Sequence, residues 1–248
     1  MLSRISLRVF FALFTAIVVW VGYTSVQYRR EEVASRLFSP TGSLNNSTVS
    51  FHEESLLDTV FGSNGSAQGV SLDGEDPEIS QQLNALAHFP RLEYVFAFGL
   101  TSYPNFQLPS VRHLNLGSCS PESVSRLIKA CPNVEYLEVA DSLTYEALMA
   151  TDESLKAIAG CSKLQELNVN VDNCTGEFLL LLSPQCRIKK MSLLTDVGIT
   201  QEAIWKVSKF EDLEELTIVP ELGVSVEALK RMPLKDLGLL HPEAAFLD

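Results

Sequence analysis

Apolar residues recur along this chain in one frame: an anchor, two residues, a second anchor, one residue, and a third anchor. It reads Leu92/Val95/Ala97, Val111/Leu114/Leu116, Val134/Leu137/Val139, Leu164/Leu167/Val169, Ile188/Met191/Leu193, Leu213/Leu216/Ile218 and Leu234/Leu237/Leu239. The first anchors are separated by 19, 23, 30, 24, 25 and 21 residues. A period of that size is the signature of stacked structural units. Within each frame the second and third anchors are two residues apart, so on an extended chain they point the same way. Each frame predicts a short strand that cannot bury its apolar side alone, and stacking the units makes the core.

A second repeated signal follows the first and is polar. Ser120-Pro-Glu-Ser-Val124, Thr144-Tyr-Glu-Ala-Leu148, Thr175-Gly-Glu-Phe-Leu179, Thr200-Gln-Glu-Ala-Ile204 and Ser225-Val-Glu-Ala-Leu229 share the order hydroxyl, any residue, Glu, small or apolar, apolar. A Ser or Thr there can cap the unpaired N–H groups of a new helix. The Glu suits the positive end of the helix dipole, and Pro121 suits a first helical position. Each unit is therefore read as strand, turn and helix. Thr151-Asp-Glu-Ser-Leu155 is a further copy close behind the Thr144 one, and it explains the 30-residue unit as an insertion.

These residues resemble the cysteine-containing leucine-rich repeats of F-box substrate receptors and their relatives, over about residues 89 to 240. Cys131 and Cys161 match the Cys that precedes the first anchor, Cys186 lies one residue out of register, and Cys119 matches the Cys or Asn that follows the third. At that trailing position Ser142, Asp172, Asp196 and Glu221 depart from the pattern, and no F-box is seen upstream. The resemblance implies an α/β fold: a right-handed parallel horseshoe of about seven repeats, acting as a non-catalytic module that binds a protein partner on its concave face. It also keeps open a substrate-recognition adaptor of a ubiquitin ligase.

The flanks add a membrane and a tether. Residues 1 to 30 contain no acid, and Val9 to Val21 is apolar or small except for Thr15, with Arg4 and Arg8 before it and Arg29 and Arg30 after it. Extended from Leu7 to Val26, the run reaches the roughly 20 residues a spanning helix needs if Arg8 snorkels to the interface. Residues 1–30 are read as a signal anchor, ahead of a cleaved signal peptide or a mitochondrial presequence. The last of these leads to a mitochondrial inner-membrane assembly factor as an alternative. Residues 31–75 are read as a flexible Ser/Asn/Gly-rich stalk, and 76–248 as the repeat domain, entered through a cap helix from Asp76-Pro-Glu-Ile79 to about His88. Asn45, Asn46, Asn64 and Asn173 each open an Asn-x-Ser/Thr pattern; if used, these sites place the domain in a lumenal or extracellular space.

Charge narrows the partners. The chain has 248 residues and a formal net charge of -12. Residues 1–70 balance five basic against five acidic side chains, so residues 71–248, with 14 against 26, carry the whole excess. That disfavours nucleic acid and anionic membrane surfaces as partners of the domain. The side chains expected on the concave face are those two, four and six positions after each first anchor. They begin with Tyr94, Phe96 and Phe98, then His113, Asn115 and Gly117, then Tyr136, Glu138 and Ala140, then Glu166, Asn168 and Asn170. Lys190, Ser192 and Leu194, then Glu215, Thr217 and Val219, then Asp236, Gly238 and Leu240 complete the set. The aromatic start of this face is an apolar patch of the kind that anchors interfaces, unless the cap helix folds over it. No cofactor, metal or catalytic group is expected: the four His are scattered, and the five Cys fit buried repeat positions, with Cys174 and Cys186 the only pair to consider for a bridge.

Overall fold

The computed structural model describes residues 7–35, 48–51, 67–140, 150–172, 174–183 and 186–240. One sheet holds every described strand, in chain order: β1 (Thr48–Phe51), β2 (Ala67–Asp73), β3 (Tyr94–Phe98), β4 (His113–Gly117), β5 (Tyr136–Ala140), β6 (Glu166–Asn170), β7 (Lys190–Leu194), β8 (Glu215–Ile218) and β9 (Asp236–Leu239). β1 runs antiparallel to β2, and β2 to β9 form eight parallel strands. Parallel neighbours need a crossover, and most of these carry helix. The described helices are α1 (Leu7–Ser35), α2 (Ile79–Ala85), α3 (Pro121–Ala130), α4 (Asp152–Leu155), α5 (Gln201–Val207) and α6 (Glu227–Lys230), with 3-10 turns at Leu86–His88, Lys156–Gly160 and Glu177–Leu181. The fold is α/β, a parallel sheet with helical crossovers.

The apolar frames lie in register. Val95, Leu114, Leu137, Leu167, Met191, Leu216 and Leu237 form one row across the sheet, and Ala97, Leu116, Val139, Val169, Leu193, Ile218 and Leu239 form the next. All are buried except at β9, where Leu237 is half-buried and Leu239 is 38% exposed. The first anchors enter through one repeated turn: the N–H groups of Leu92, Val111, Val134, Leu164 and Leu213 donate to the carbonyls of Phe89, Leu108, Cys131, Cys161 and Phe210. Those carbonyl residues are all buried. The position that carries Cys131 and Cys161 is thus a sealed apolar one, and Phe89, Leu108 and Phe210 fill it elsewhere. All five cysteines are thiols, Cys174 and Cys186 included.

Helix starts follow the hydroxyl signal at three sites. The Ser120 hydroxyl accepts from the Ser123 N–H, Thr151 from Ser154 within a reciprocal capping box, and Thr200 from Ala203. Thr175 departs from the expectation. Its hydroxyl donates to Asp152 Oδ2 at 2.9 Å, and the following 3-10 turn starts from Gly176 at φ 84° with no side-chain cap. Val226 rather than Ser225 sits at the start of α6. The copy at Thr144 lies outside the described residues. The crossover from Gly99 to Arg112 holds Pro104 and Pro109 and no helix, as their lost N–H groups dictate.

The sheet begins earlier than the frames imply, which corrects the stalk boundary. Ala67–Asp73, inside the stretch assigned to the stalk, is β2, with Val70 and Leu72 each 1% exposed and in register with Val95 and Ala97. These residues repeat the frame as Ala67/Val70/Leu72, with a weak first anchor. The edge of β3 is consequently covered by a strand, and α2 does not cap it. The cap helix instead buries Leu83 and Ala85 in the helical layer, where the Asp76 carboxylate accepts from the Glu78 N–H and from Gln82 Nε2, each at 2.8 Å.

α1 runs five residues beyond the expected anchor boundary, to Ser35, and its last turn packs Ala34 into the core beside Leu86–His88. Among the described residues no helix is long and apolar enough to cross a membrane. The side chains of residues 7–13, the first half of the apolar run, are not among those described. Asn45, Asn46, Asn64 and Asn173 also lie outside the described residues.

Candidate binding face

Alternation along the parallel strands sends one row of side chains into the helices and the other to the open side of the sheet. The exposure pattern of β4, β5 and β6 follows this two-residue rhythm, buried at the frame positions and open between them. Three rows of side chains result, running across strands. The first holds Tyr94, His113, Tyr136, Glu166, Lys190, Glu215 and Asp236; the second holds Ser71, Phe96, Asn115, Glu138, Asn168, Ser192, Thr217 and Gly238. The third holds Asp73, Phe98, Gly117, Ala140, Asn170 and Leu194. Every partner-binding candidate from Tyr94 to Asn168 therefore lies on one face.

Val219 leaves this set. β8 stops at Ile218, the alternation ends with it, and Val219 is fully buried while its carbonyl accepts from the Ile199 N–H. Ser71 and Asp73 join the face because β2 extends it.

The face differs in character from one end to the other. Phe96 is 48% and Phe98 41% exposed, so α2 does not cover them. Phe98 lies across Gly117: a Cβ built there would come within 2.6 Å of the ring, so any side chain at 117 would push the ring off. Tyr94 stacks on His113 with ring centroids 4.4 Å apart, and His113 meets Tyr136 at 5.8 Å with a 30° tilt. Such ring pairs are favourable beyond the area they bury.

Beyond the rings the face turns acidic. Glu138 Oε2 accepts from Asn115 Nδ2 at 2.7 Å and from the Tyr136 hydroxyl at 2.8 Å. Burial first, and the bond to Glu138 second, push the Tyr136 hydroxyl up to about 12, so it stays a donor at physiological pH. Lys190 is held by Glu215 at 3.2 Å. Glu166, Lys190, Glu215 and Asp236 line a shallow groove of about 260 Å³ that opens next to Tyr136.

Among the described residues no group of three His, Cys, Asp or Glu side chains is placed to hold a metal ion. His113 is committed to the aromatic row, and Cys119 lies behind the sheet, its Sγ donating to the Ala97 and Gly117 carbonyls. Comparison with protein-family models and with curated protein sequences finds no match to this chain.

Proposed function

We propose that this chain is a protein-binding module of the leucine-rich-repeat type, without catalysis of its own, held at a membrane by α1. The observation that carries the reading is the exposed aromatic row, Phe96 and Phe98 beside the Tyr94–His113–Tyr136 stack, on an otherwise polar face. Large rings left in water cost free energy that a partner would recover, on the order of 25 cal/mol per Å² of apolar surface covered. Ring anchors in a polar surround are also the usual composition of an interface centre. The in-register frames, the repeated entry turn and the sealed Cys position support the repeat assignment.

The test is photo-crosslinking. A benzophenone side chain replacing Phe96 in the full chain should yield one discrete adduct in cells, whereas the same group replacing Lys129 on α3 should not. Phe96→Asp should abolish co-purification of the adducted protein and leave the circular dichroism spectrum unchanged, because the ring is half in water. Equal labelling from both positions, or none from position 96, rejects the reading. Unfolding of Phe96→Asp would return the ring to the core.

A further inference from the structure

Resting on that reading, we infer that the face takes an extended, arginine-bearing basic segment of its protein partner. Two independent features converge on this chemistry. Phe96 and Phe98, 48% and 41% exposed, offer aromatic surface, and a guanidinium stacks on such rings while a carboxylate does not. The same face carries Asp73, Glu138, Glu166 and Asp236, while its one lysine, Lys190, and Glu215 neutralise each other. An acidic segment would meet repulsion at these carboxylates, which selects against it.

The dimensions suit a peptide rather than a point ligand. From β3 to β9 there are six inter-strand spacings of about 4.8 Å, roughly 29 Å, the span of about nine extended residues. In this arrangement one guanidinium lies over the Phe96–Phe98 end. A second sits between Tyr136, Glu138 and Glu166, where the Glu138 carboxylate is already fixed in place by Asn115 and Tyr136. Preorganised acceptors lose less freedom on binding, so this end contributes specificity as well as charge.

The experiment is a fluorescence-anisotropy titration of the full chain in detergent micelles. The probe is a fluorescein-labelled arginine–glycine repeat peptide, compared with the same peptide carrying citrulline or lysine in place of arginine. Physiological salt is used so that charges beyond about 8 Å are screened and only the contacted face reads out. Citrulline keeps the shape and removes the charge, and should weaken binding at least roughly tenfold; lysine should fall between the two. Phe96→Ala and Glu166→Gln should each weaken the arginine peptide about three- to tenfold, and Glu202→Gln on α5 should not change it. Equal affinities for arginine and citrulline peptides overturn the inference, as does equal loss in Glu202→Gln, which would mark unspecific attraction to an acidic protein. Persistent crosslinking from position 96 alongside such a result would leave the binding face standing and remove only its basic partner.

Discussion

Cys131 has no accessible surface, and burial pushes its thiol from 9.0 up to about 12, with the neighbouring Cys161 adding to the shift. Cys161 is raised to about 11, again first by burial and then by Cys186. In both cases the folded state holds the proton more tightly than the unfolded chain does. The stability this represents is fully present below pH 9.0 and is lost as pH rises through the window up to about 11 for Cys161 and about 12 for Cys131. The linkage slope for one thiol is about 1.4 kcal/mol per pH unit in that window. Urea unfolding followed from neutral pH to about 11 should show stability falling faster in the native chain than in Cys131→Ala. The comparison cancels the contribution of Tyr136, which is also raised. Parallel slopes in the two proteins would show that the thiol is ionised without cost, and that the turn is wetter than its burial implies.

Among the elements, the β5–β6 and β6–β7 crossovers are joined through one side chain. Asp152, the first residue of α4, accepts from the Thr175 N–H at 2.8 Å, the Thr175 hydroxyl at 2.9 Å and the Phe178 N–H at 3.3 Å, with Cys174 Sγ at 3.5 Å. It supplies the next crossover with the acceptors that the 3-10 turn from Gly176 cannot make for itself. Asp152→Ala should cost about 1–3 kcal/mol, the cost of leaving buried or half-buried donors unmet, and Asp152→Asn should recover part of it by keeping one oxygen. Equilibrium urea unfolding measures both; a loss within a few tenths for Asp152→Ala would mean that water replaces the carboxylate.

This contact also marks where the sequence stopped being legible. The frames placed seven strands in register because anchor spacing is a local property, and burial of one side of a strand leaves no other solution. β2 escaped because its first anchor is Ala67 and the residues between its anchors and after them are Gln, Gly, Ser and Asp, which read as a linker. Thr175 looked like a helix cap because the motif records residue types only. Its hydroxyl is claimed by Asp152, 23 residues away, and that competition is decided in three dimensions. The open face was readable down to its rings, since alternation fixes which side they take. The stacking of Tyr94 on His113, the pairing of Glu138 with Asn115, and the early end of β8 at Ile218 depend on residues of neighbouring units.

At the scale of the whole molecule, α1 is the element that bears on where the acidic sheet is held. Ile17, Val18, Val19 and Trp20 are all substantially exposed, from 49% to 65%. Four consecutive helical positions turn through about 300°, so no single packed neighbour could cover them, and a lipid surround could. Arg29 and Arg30, exposed beyond that run, border an apolar pocket of about 310 Å³ with Val26, Val33 and His88. This end of the helix would then lie at the interface, with the acidic sheet held off the bilayer. Alkaline extraction of membranes bearing the full chain should leave it in the pellet. If the proposed anchor holds, Val18→Arg would place in the apolar run a charge that costs about 2.5–3.5 kcal/mol at the centre of a spanning helix, and should shift part of the chain to the supernatant. Complete release of the native chain by alkali would remove the anchor from the proposal. Endoglycosidase treatment of the retained chain assigns the side: a mobility shift lost on replacing Asn45, Asn46, Asn64 and Asn173 by Gln places the binding face in the lumen or outside the cell. An unshifted but retained chain would direct the search for the basic partner to the cytosolic or mitochondrial side.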